Sequence, residues 1–193
     1  MKLNRANIIY LFVLIAAASV YRVVDNRMLG FAPQIAMALF GGMAIRNNKT
    51  LAFGLPLFSL FISDVMYEIL YTQGLSTIRG FYEGQIINYI IMGSVVLVGF
   101  LFKKVNVLNV IAGSLVAPVY FFLISNLVVW MGIPYNMYPK TWAGLVDCFT
   151  QAVPFFKGSL LGTIFFSAIF FGVYYFTNKS KSTQRVAEVP AAA

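Results

Sequence analysis

The sequence predicts an all-α fold, a polytopic membrane bundle of six transmembrane helices with its N- and C-termini in the cytoplasm. Of the 193 residues, 60% are hydrophobic and 10% are charged, and the mean hydropathy is +0.81. In a soluble domain about a quarter of the residues are charged. The apolar residues form six runs of roughly helix length, separated by polar segments. An excess of basic residues in alternate connecting segments then orients the helices.

The first predicted span runs from Ile8 to Tyr21. Its apolar stretch is followed by small residues and would also suit a cleaved signal peptide. Because further spans follow, we expect it to be retained as the first transmembrane helix.

The second predicted span, Phe31 to Ile45, is short: its 15 residues rise about 22 Å, less than the roughly 30 Å of a hydrocarbon core. We expect it to be buried among neighbours or extended through its flanks. It carries the small-residue pairs Ala32/Ala36 and Ala38/Gly42, which let helix backbones approach closely. Such pairs serve either intramolecular packing or docking of a partner subunit.

The third predicted span, Leu51 to Leu70, contains Pro56 and two carboxylates, Asp64 and Glu68. The proline is expected to kink the helix. The carboxylates are four residues apart and share a helix face. A charged side chain costs about 2.5–3.5 kcal/mol at mid-bilayer, so we expect the pair to face protein or water and to be functional. The alternative is a boundary pair wetted by headgroups.

The remaining spans are predicted at Ile86 to Phe102, Val105 to Trp130 and Gly158 to Phe176. The last opens with the small pair Gly158/Gly162. A long loop, Met131 to Lys157, precedes it and contains an amphipathic segment near Trp142 to Val153. Residues 1–177 form the predicted transmembrane domain, and the basic residues 178–193 a disordered cytoplasmic tail.

The pattern P-x5-I-S-[D/N] occurs twice, at Pro56 and Pro118. It suggests two hairpin repeats, spans two and three and spans four and five, which would bring Asp64 and Asn126 to equivalent depths. Coincidence in an apolar-rich sequence explains the pattern equally well.

Six spans place both termini on one side of the membrane. The two sides carry unequal numbers of basic residues: nine on the side of the termini (Lys2, Arg5, Arg46, Lys49, Lys103, Lys104, Lys179, Lys181, Arg185) and five on the other (Arg22, Arg27, Arg79, Lys140, Lys157). The positive-inside rule therefore predicts cytoplasmic termini. The basic tail is explained by topology and anionic lipid, so we expect membrane lipid and no nucleic acid as partner.

With this orientation, polar residues of several helices converge on one outer-leaflet level under the aromatic loop. The predicted substrate-binding residues are Arg22, Gln34, Asp64, Glu68, Asn88, Asn126, Tyr138 and Trp142. A concave, mostly apolar pocket with a few polar groups suits a small molecule. An interfacial aromatic belt with ordinary helix-end polar residues is the alternative. A carboxylate among apolar helices is also a candidate proton site, unless Arg22 pairs with it.

The chain has no histidine and one cysteine, Cys148, which is expected to be a small buried side chain. Imidazole ligands, the usual general base, internal disulfides and cysteine metal clusters are thereby excluded. We predict no catalytic residue, no metal and no cofactor, and hence not an enzyme. Acid/base chemistry by Asp64 and Glu68 is the weakest hypothesis.

Arg22, the stretch Phe31 to Gly42, the segment Pro56 to Asp64, and Pro154 to Lys157 with Gly162 resemble an uncharacterised family of bacterial six-span membrane proteins. The layout also resembles the substrate-binding S components of energy-coupling factor (ECF) transporters. That resemblance implies an outward-opening site and docking on a coupling subunit driven by two ATPases. The docking signature of S components, Ala-x-x-x-Ala on the first helix, has its nearest match here in Ala32/Ala36 on the second.

We therefore expect a membrane component that binds a small solute and takes part in its transport, together with coupling or partner subunits. The alternative is a non-catalytic subunit that assembles or anchors a larger complex. The predicted docking residues are Ala32, Ala36, Ala38, Gly42, Gly158 and Gly162.

Overall fold

The computed structural model describes the backbone of residues 5–24 and 27–187, and the side chains of 5, 7–24 and 27–177. Within these ranges all regular structure is helical. The helices are α1 (Arg5–Val23), α2 (Gln34–Ala44), α3 (Lys49–Thr72), α4 (Gln85–Leu101), α5 (Val107–Trp130) and α6 (Trp142–Ala187). The predicted all-α fold is confirmed.

Three of the described helical segments are long and apolar enough to cross a membrane: Lys49–Thr72, Val107–Trp130 and Trp142–Thr177. Three shorter apolar segments accompany them: Asn7–Val23, Gln34–Ala44 and Gln85–Leu101. Large apolar side chains cover much of the outer surface of the helices. Since water would penalise such a surface, the composition and the structure together indicate a membrane-associated protein.

The core of the bundle is α2. All eleven of its residues are buried, and it packs against α3, α4, α5 and α6. Its rise of about 16 Å is too short to cross a hydrocarbon core alone. The expectation that this short apolar segment is buried among neighbours is confirmed.

Small residues allow α2 and the segment before it to approach neighbouring helices at backbone distance. A Cβ added at Gly42 would overlap the Val96 carbonyl oxygen of α4, and one at Gly162 would lie 3.0 Å from the Ala32 nitrogen. Ala36 and Ala38 are fully buried. A Cβ at Gly158 would overlap the Leu29 carbonyl oxygen. Five of the six predicted docking residues are buried in this way and Ala32 is half-buried, so a partner would reach most of them only if the helices separated.

The two helices with the repeated pattern, α3 and α5, each begin after a capping asparagine, but the pattern lies farther from the cap in α5 than in α3. Asn48 caps α3 and Asn106 caps α5, an offset of 106 − 48 = 58, whereas the prolines are offset by 118 − 56 = 62. The pattern therefore lies four residues farther along α5, about 6 Å. Counted from their caps, Asp64 and Asn126 are not at equivalent positions.

The prediction of a loop from Met131 to Lys157 is wrong for residues 142–157, which are helical. α6 is continuous from Trp142, so only residues 131–141 connect α5 to α6, and Pro154 lies inside the helix. Packing on α5 explains the helix: the Phe122 ring lies 5.4 Å from the Phe149 ring and 4.7 Å from the Phe156 ring, between centroids. At its other end α6 continues to Ala187, so residues 178–187 are helical, and 188–193 lie outside the described residues.

One end of the bundle, here called the Arg22 end, is where α1 and α3 finish and α2 and α4 begin. Two loops, residues 73–84 and 131–141, meet there. Gly84 has a positive φ of 87°, and a Cβ at this position would lie 2.7 Å from the Pro134 side chain. This contact brings the two loops together over the polar residues described next.

Candidate functional site

Asp64 forms the most complete polar cluster of the Arg22 end. It is 2% exposed and pairs with the guanidinium of Arg22, which also donates to Ser63 Oγ at 2.6 Å. The second carboxylate oxygen accepts from Gln85 Nε2 at 2.6 Å and from Tyr89 Oη at 2.5 Å. Both carboxylate oxygens are thus satisfied by protein donors, as a buried charge requires.

Glu68, one helical turn farther along α3, holds the 73–84 loop against the helix. One of its carboxylate oxygens accepts from the backbone nitrogens of Gly80 at 3.0 Å and Phe81 at 3.1 Å. A Cβ at Gly80 would overlap the Asp64 carbonyl oxygen, so only glycine permits this approach. Gln85 also donates to the Gly80 carbonyl oxygen at 3.0 Å. The loop is therefore fixed by the same residues that surround Asp64.

Tyr82 belongs to this loop and orients Asn88. Burial, with a smaller contribution from the negative charge of Asp64, raises the pKa of Tyr82. Its hydroxyl accepts from Asn88 Nδ2 at 3.3 Å.

A cavity of about 440 Å³ lies beside the Asp64 cluster, and we call it the Arg27 cavity. Its volume is within the range of about 300–1,000 Å³ that is typical of small-molecule sites. Its polar lining includes Arg22, Arg27, Gln34, Tyr67 and Asn88. The rest of the lining is mostly apolar: Val24, Leu29, Gly30, Ala32, Ile35, Leu60, Ile78, Met92, Phe121 and Phe155, with Ser159.

The two arginines of this cavity differ in their partners. Arg22 is neutralised by Asp64. Arg27 donates to the carbonyl oxygens of Arg22 at 3.0 Å and Phe31 at 3.4 Å, and lies 3.4 Å from the Tyr67 hydroxyl. None of the carboxylates that the structure describes pairs with Arg27. The positive charge of Arg27 is therefore uncompensated among the described residues.

Gln34, at the start of α2, is 2% exposed and also lines the cavity. Its Nε2 donates weakly to the Ala18 carbonyl oxygen at 3.4 Å. Its Oε1 has no hydrogen-bond partner among the described residues. A buried polar atom without a partner costs about 1–3 kcal/mol, so such atoms are uncommon and call for an explanation.

A second cavity of about 520 Å³, the Asn126 cavity, lies between α5, α6 and the 131–141 loop. Asn126, Tyr138 and Gln151 are among its polar lining residues. The two cavities share three lining residues, namely Phe121, Phe155 and Ser159. The cavities are therefore adjacent, with these side chains between them. Cys148, buried as expected, also lines it, with its sulfur 3.4 Å from the Asn126 carbonyl oxygen.

The structure separates the eight predicted binding residues into four places. Arg22, Gln34 and Asn88 line the Arg27 cavity, whereas Asn126 and Tyr138 line the Asn126 cavity. Asp64 and Glu68 line neither, since both are used in internal contacts. Trp142 is 78% exposed and lies in a shallow groove between α5 and α6.

Four residues of this region were not predicted from the sequence to be binding residues: Arg27, Tyr67, Gln85 and Tyr89. Gln85 and Tyr89 are four apart and share a face of α4, the same spacing that drew attention to Asp64 and Glu68. This spacing is the sequence signal that could have identified Gln85 and Tyr89. No group of three His, Cys, Asp or Glu side chains that would suit a metal ion occurs within the described part of the chain.

A protein-family model described as a family of unknown function (DUF6580) matches residues 2–186. The chain therefore belongs to this family. No curated protein and no solved structure matches the chain.

Proposed function

We propose that this member of the DUF6580 family is a six-span inner-membrane protein that binds a small solute in the Arg27 cavity, as a component of its transport. The observation that carries the proposal is the cavity itself. It combines about 440 Å³ of space, a mostly apolar wall and a few polar groups. Among the described residues, Gln34 Oε1 has no hydrogen-bond partner and Arg27 has no counter-ion. This is the composition of a small-molecule site.

Six crossings follow if the three shorter apolar helices also traverse the membrane. The short α2 is shielded from lipid by its neighbours, and residues 30–33, which are buried or half-buried, extend it toward the Arg22 end. The uneven distribution of basic residues then supports cytoplasmic termini and an Arg22 end that faces outward. In this layout the protein is similar to the S components of ECF transporters.

Native mass spectrometry of the protein, gently extracted from its own membrane, tests the proposal. We expect a discrete small-molecule adduct on the wild type. Leu29 lines the cavity and is exposed, so Leu29→Trp should fill the space at little cost to the fold and abolish the adduct. Leu108→Trp is the matched control, because Leu108 is exposed on α5 and lines neither cavity.

An adduct retained by Leu108→Trp and lost by Leu29→Trp would support the proposal. Absence of any adduct on the wild type, or equal retention by both variants, would contradict it. A stoichiometric subunit without adduct would favour the assembly function instead. The contacts that the small residues make within the chain do not favour that alternative, because five of the six predicted docking residues are already buried.

A further inference from the structure

The charges around the Arg27 cavity restrict the kind of molecule that it can hold. Two guanidinium groups are among the described residues that line it, and no carboxylate is. Asp64 compensates Arg22 from behind the wall, whereas none of the carboxylates that the structure describes pairs with Arg27. The positive charge of Arg27 beside a mostly apolar wall attracts anions and repels cations.

Hydrogen bonds hold the Arg27 side chain in place at the cavity. Its Nε donates to the Arg22 carbonyl oxygen at 3.0 Å, and this same oxygen accepts from the Tyr67 hydroxyl at 2.6 Å. The contacts of its two terminal nitrogens, with the Phe31 carbonyl oxygen and the Tyr67 hydroxyl, are both long at 3.4 Å. A guanidinium has five donor hydrogens, so capacity remains for a bidentate contact with a carboxylate or phosphate.

Gln34 differs from Arg27 because its unpaired group is a hydrogen-bond acceptor. Its Oε1 is an acceptor without a described partner, but neighbouring atoms cover it, so a bound N–H or O–H donor reaches it when the Gln34 side chain rotates into the cavity. The apolar side chains of Phe121 and Phe155 complete the wall. A molecule that satisfies all three features carries a negative charge, a hydrogen-bond donor and an apolar body.

We propose that the Arg27 cavity binds a small organic anion whose carboxylate or phosphate lies against the Arg27 guanidinium and whose N–H or O–H group donates to Gln34 Oε1. The inference rests on the proposed function, since it names the chemical class of the solute. The anionic group is one that a soluble organic acid and a lipid headgroup share; we take the soluble small molecule as the occupant, and the mass of the adduct distinguishes the two sources.

The test uses the full-length protein extracted into mild detergent, with the molecules that it retains from its own membrane as the probe. Native mass spectrometry gives the mass of the adduct, and release followed by accurate mass and ionisation in both polarities gives its charge. We expect an acid of low mass. A neutral or cationic adduct that Leu29→Trp abolishes would overturn this inference and leave the proposed function standing. A wild type without any adduct would overturn the proposed function itself.

Variants of the two residues separate their contributions. Arg27→Gln should weaken retention about ten- to hundredfold, and Arg27→Lys, which keeps the charge, should restore part of it. Gln34→Met, which keeps the length of the side chain and removes the acceptor, should weaken retention about tenfold. The matched control is Arg46→Gln, because Arg46 also donates to a backbone carbonyl, that of Phe102, but does not line the cavity.

Melting temperatures of all variants establish that each is folded before its adduct is compared. An acidic adduct that Arg27→Gln and Gln34→Met retain at the wild-type level would overturn the assignment of these residues. A phospholipid mass would show that the anionic group is a lipid headgroup and would overturn the proposed solute. If Arg27→Gln does not fold, the charge of the wild-type adduct and the Gln34→Met variant still decide the matter.

Discussion

Substitution of Asp64 by asparagine is the most informative perturbation of the Arg22 end. The shape of the side chain is kept, but the negative charge that compensates Arg22 is removed. One of the two carboxylate oxygens becomes an NH2 group. It then faces either Arg22 or the donors of Gln85 and Tyr89, so at least one donor loses its acceptor unless the amide of Gln85 rotates.

The expected loss of stability follows from the burial of the ion pair between Arg22 and Asp64. Removing one partner of a buried ion pair costs about 3–5 kcal/mol, because the remaining charge is left uncompensated. Arg22 keeps 17% of its side-chain exposure, so partial hydration places the expected loss near the lower bound, about 3 kcal/mol. For a chain of this size the loss corresponds to about 6–12 °C in melting temperature. Intrinsic fluorescence of Trp130 and Trp142 during thermal unfolding in detergent measures it.

A double-mutant cycle separates the ion pair from other effects. Arg22→Gln combined with Asp64→Asn replaces the pair by two neutral amides, and we expect the double variant to recover about 1–2 kcal/mol relative to the sum of the single variants. If Asp64→Asn leaves the melting temperature unchanged and abolishes the small-molecule adduct, Asp64 contacts the solute directly. That result would refute the reasoning from internal contacts and support the binding function expected from the sequence.

Four further predictions concern close packing and exposure. Gly42→Ala should destabilise the protein by about 1–3 kcal/mol, because its Cβ meets the α4 backbone. Gly172→Ala, with nothing within 4 Å of the added Cβ, should instead stabilise α6 by about 0.5–1 kcal/mol. Gly80→Ala should displace the 73–84 loop from α3 and speed its proteolysis without global unfolding, and an unchanged cleavage rate would contradict the packing at Glu68. Trp142→Ala should alter stability by less than about 0.5 kcal/mol and leave the adduct intact, since the side chain is 78% exposed; thermal unfolding and native mass spectrometry check both.

The helical architecture was predictable because its signal is the hydrophobicity of runs of residues, which does not depend on long-range contacts. The burial of α2 followed in the same way from its length. The end of the 131–157 loop was not predictable, because the stability of the first turns of α6 comes from aromatic packing on α5, as with Phe122 and Phe149. That packing overrides the local signal of Pro154.

The level of the candidate-site residues along the helices was predictable from the sequence, but the direction in which their side chains point was not. Counting along α1 and α3 places Arg22 and Asp64 at one level, and the structure confirms that they meet. Which face of α3 turns toward the cavity depends on the rotation of the helix about its axis. That rotation is set by tertiary contacts such as those of Gln85 and Tyr89 with Asp64. Level alone therefore did not distinguish Asp64, which the structure encloses, from Gln34, which lines the cavity.

This difference bears on how a buried polar group should be interpreted in an apolar bundle. The cost of burying Asp64 is offset within the chain, because Arg22, Gln85 and Tyr89 satisfy its carboxylate. The cost of burying Gln34 Oε1 is not offset by any described residue, and the charge of Arg27 beside the same cavity has no described counter-ion. A bound solute with a donor and a negative charge would offset both costs at once. The binding free energy available to such a solute therefore resides in the incompletely paired residues, Arg27 and Gln34, more than in the fully paired carboxylate.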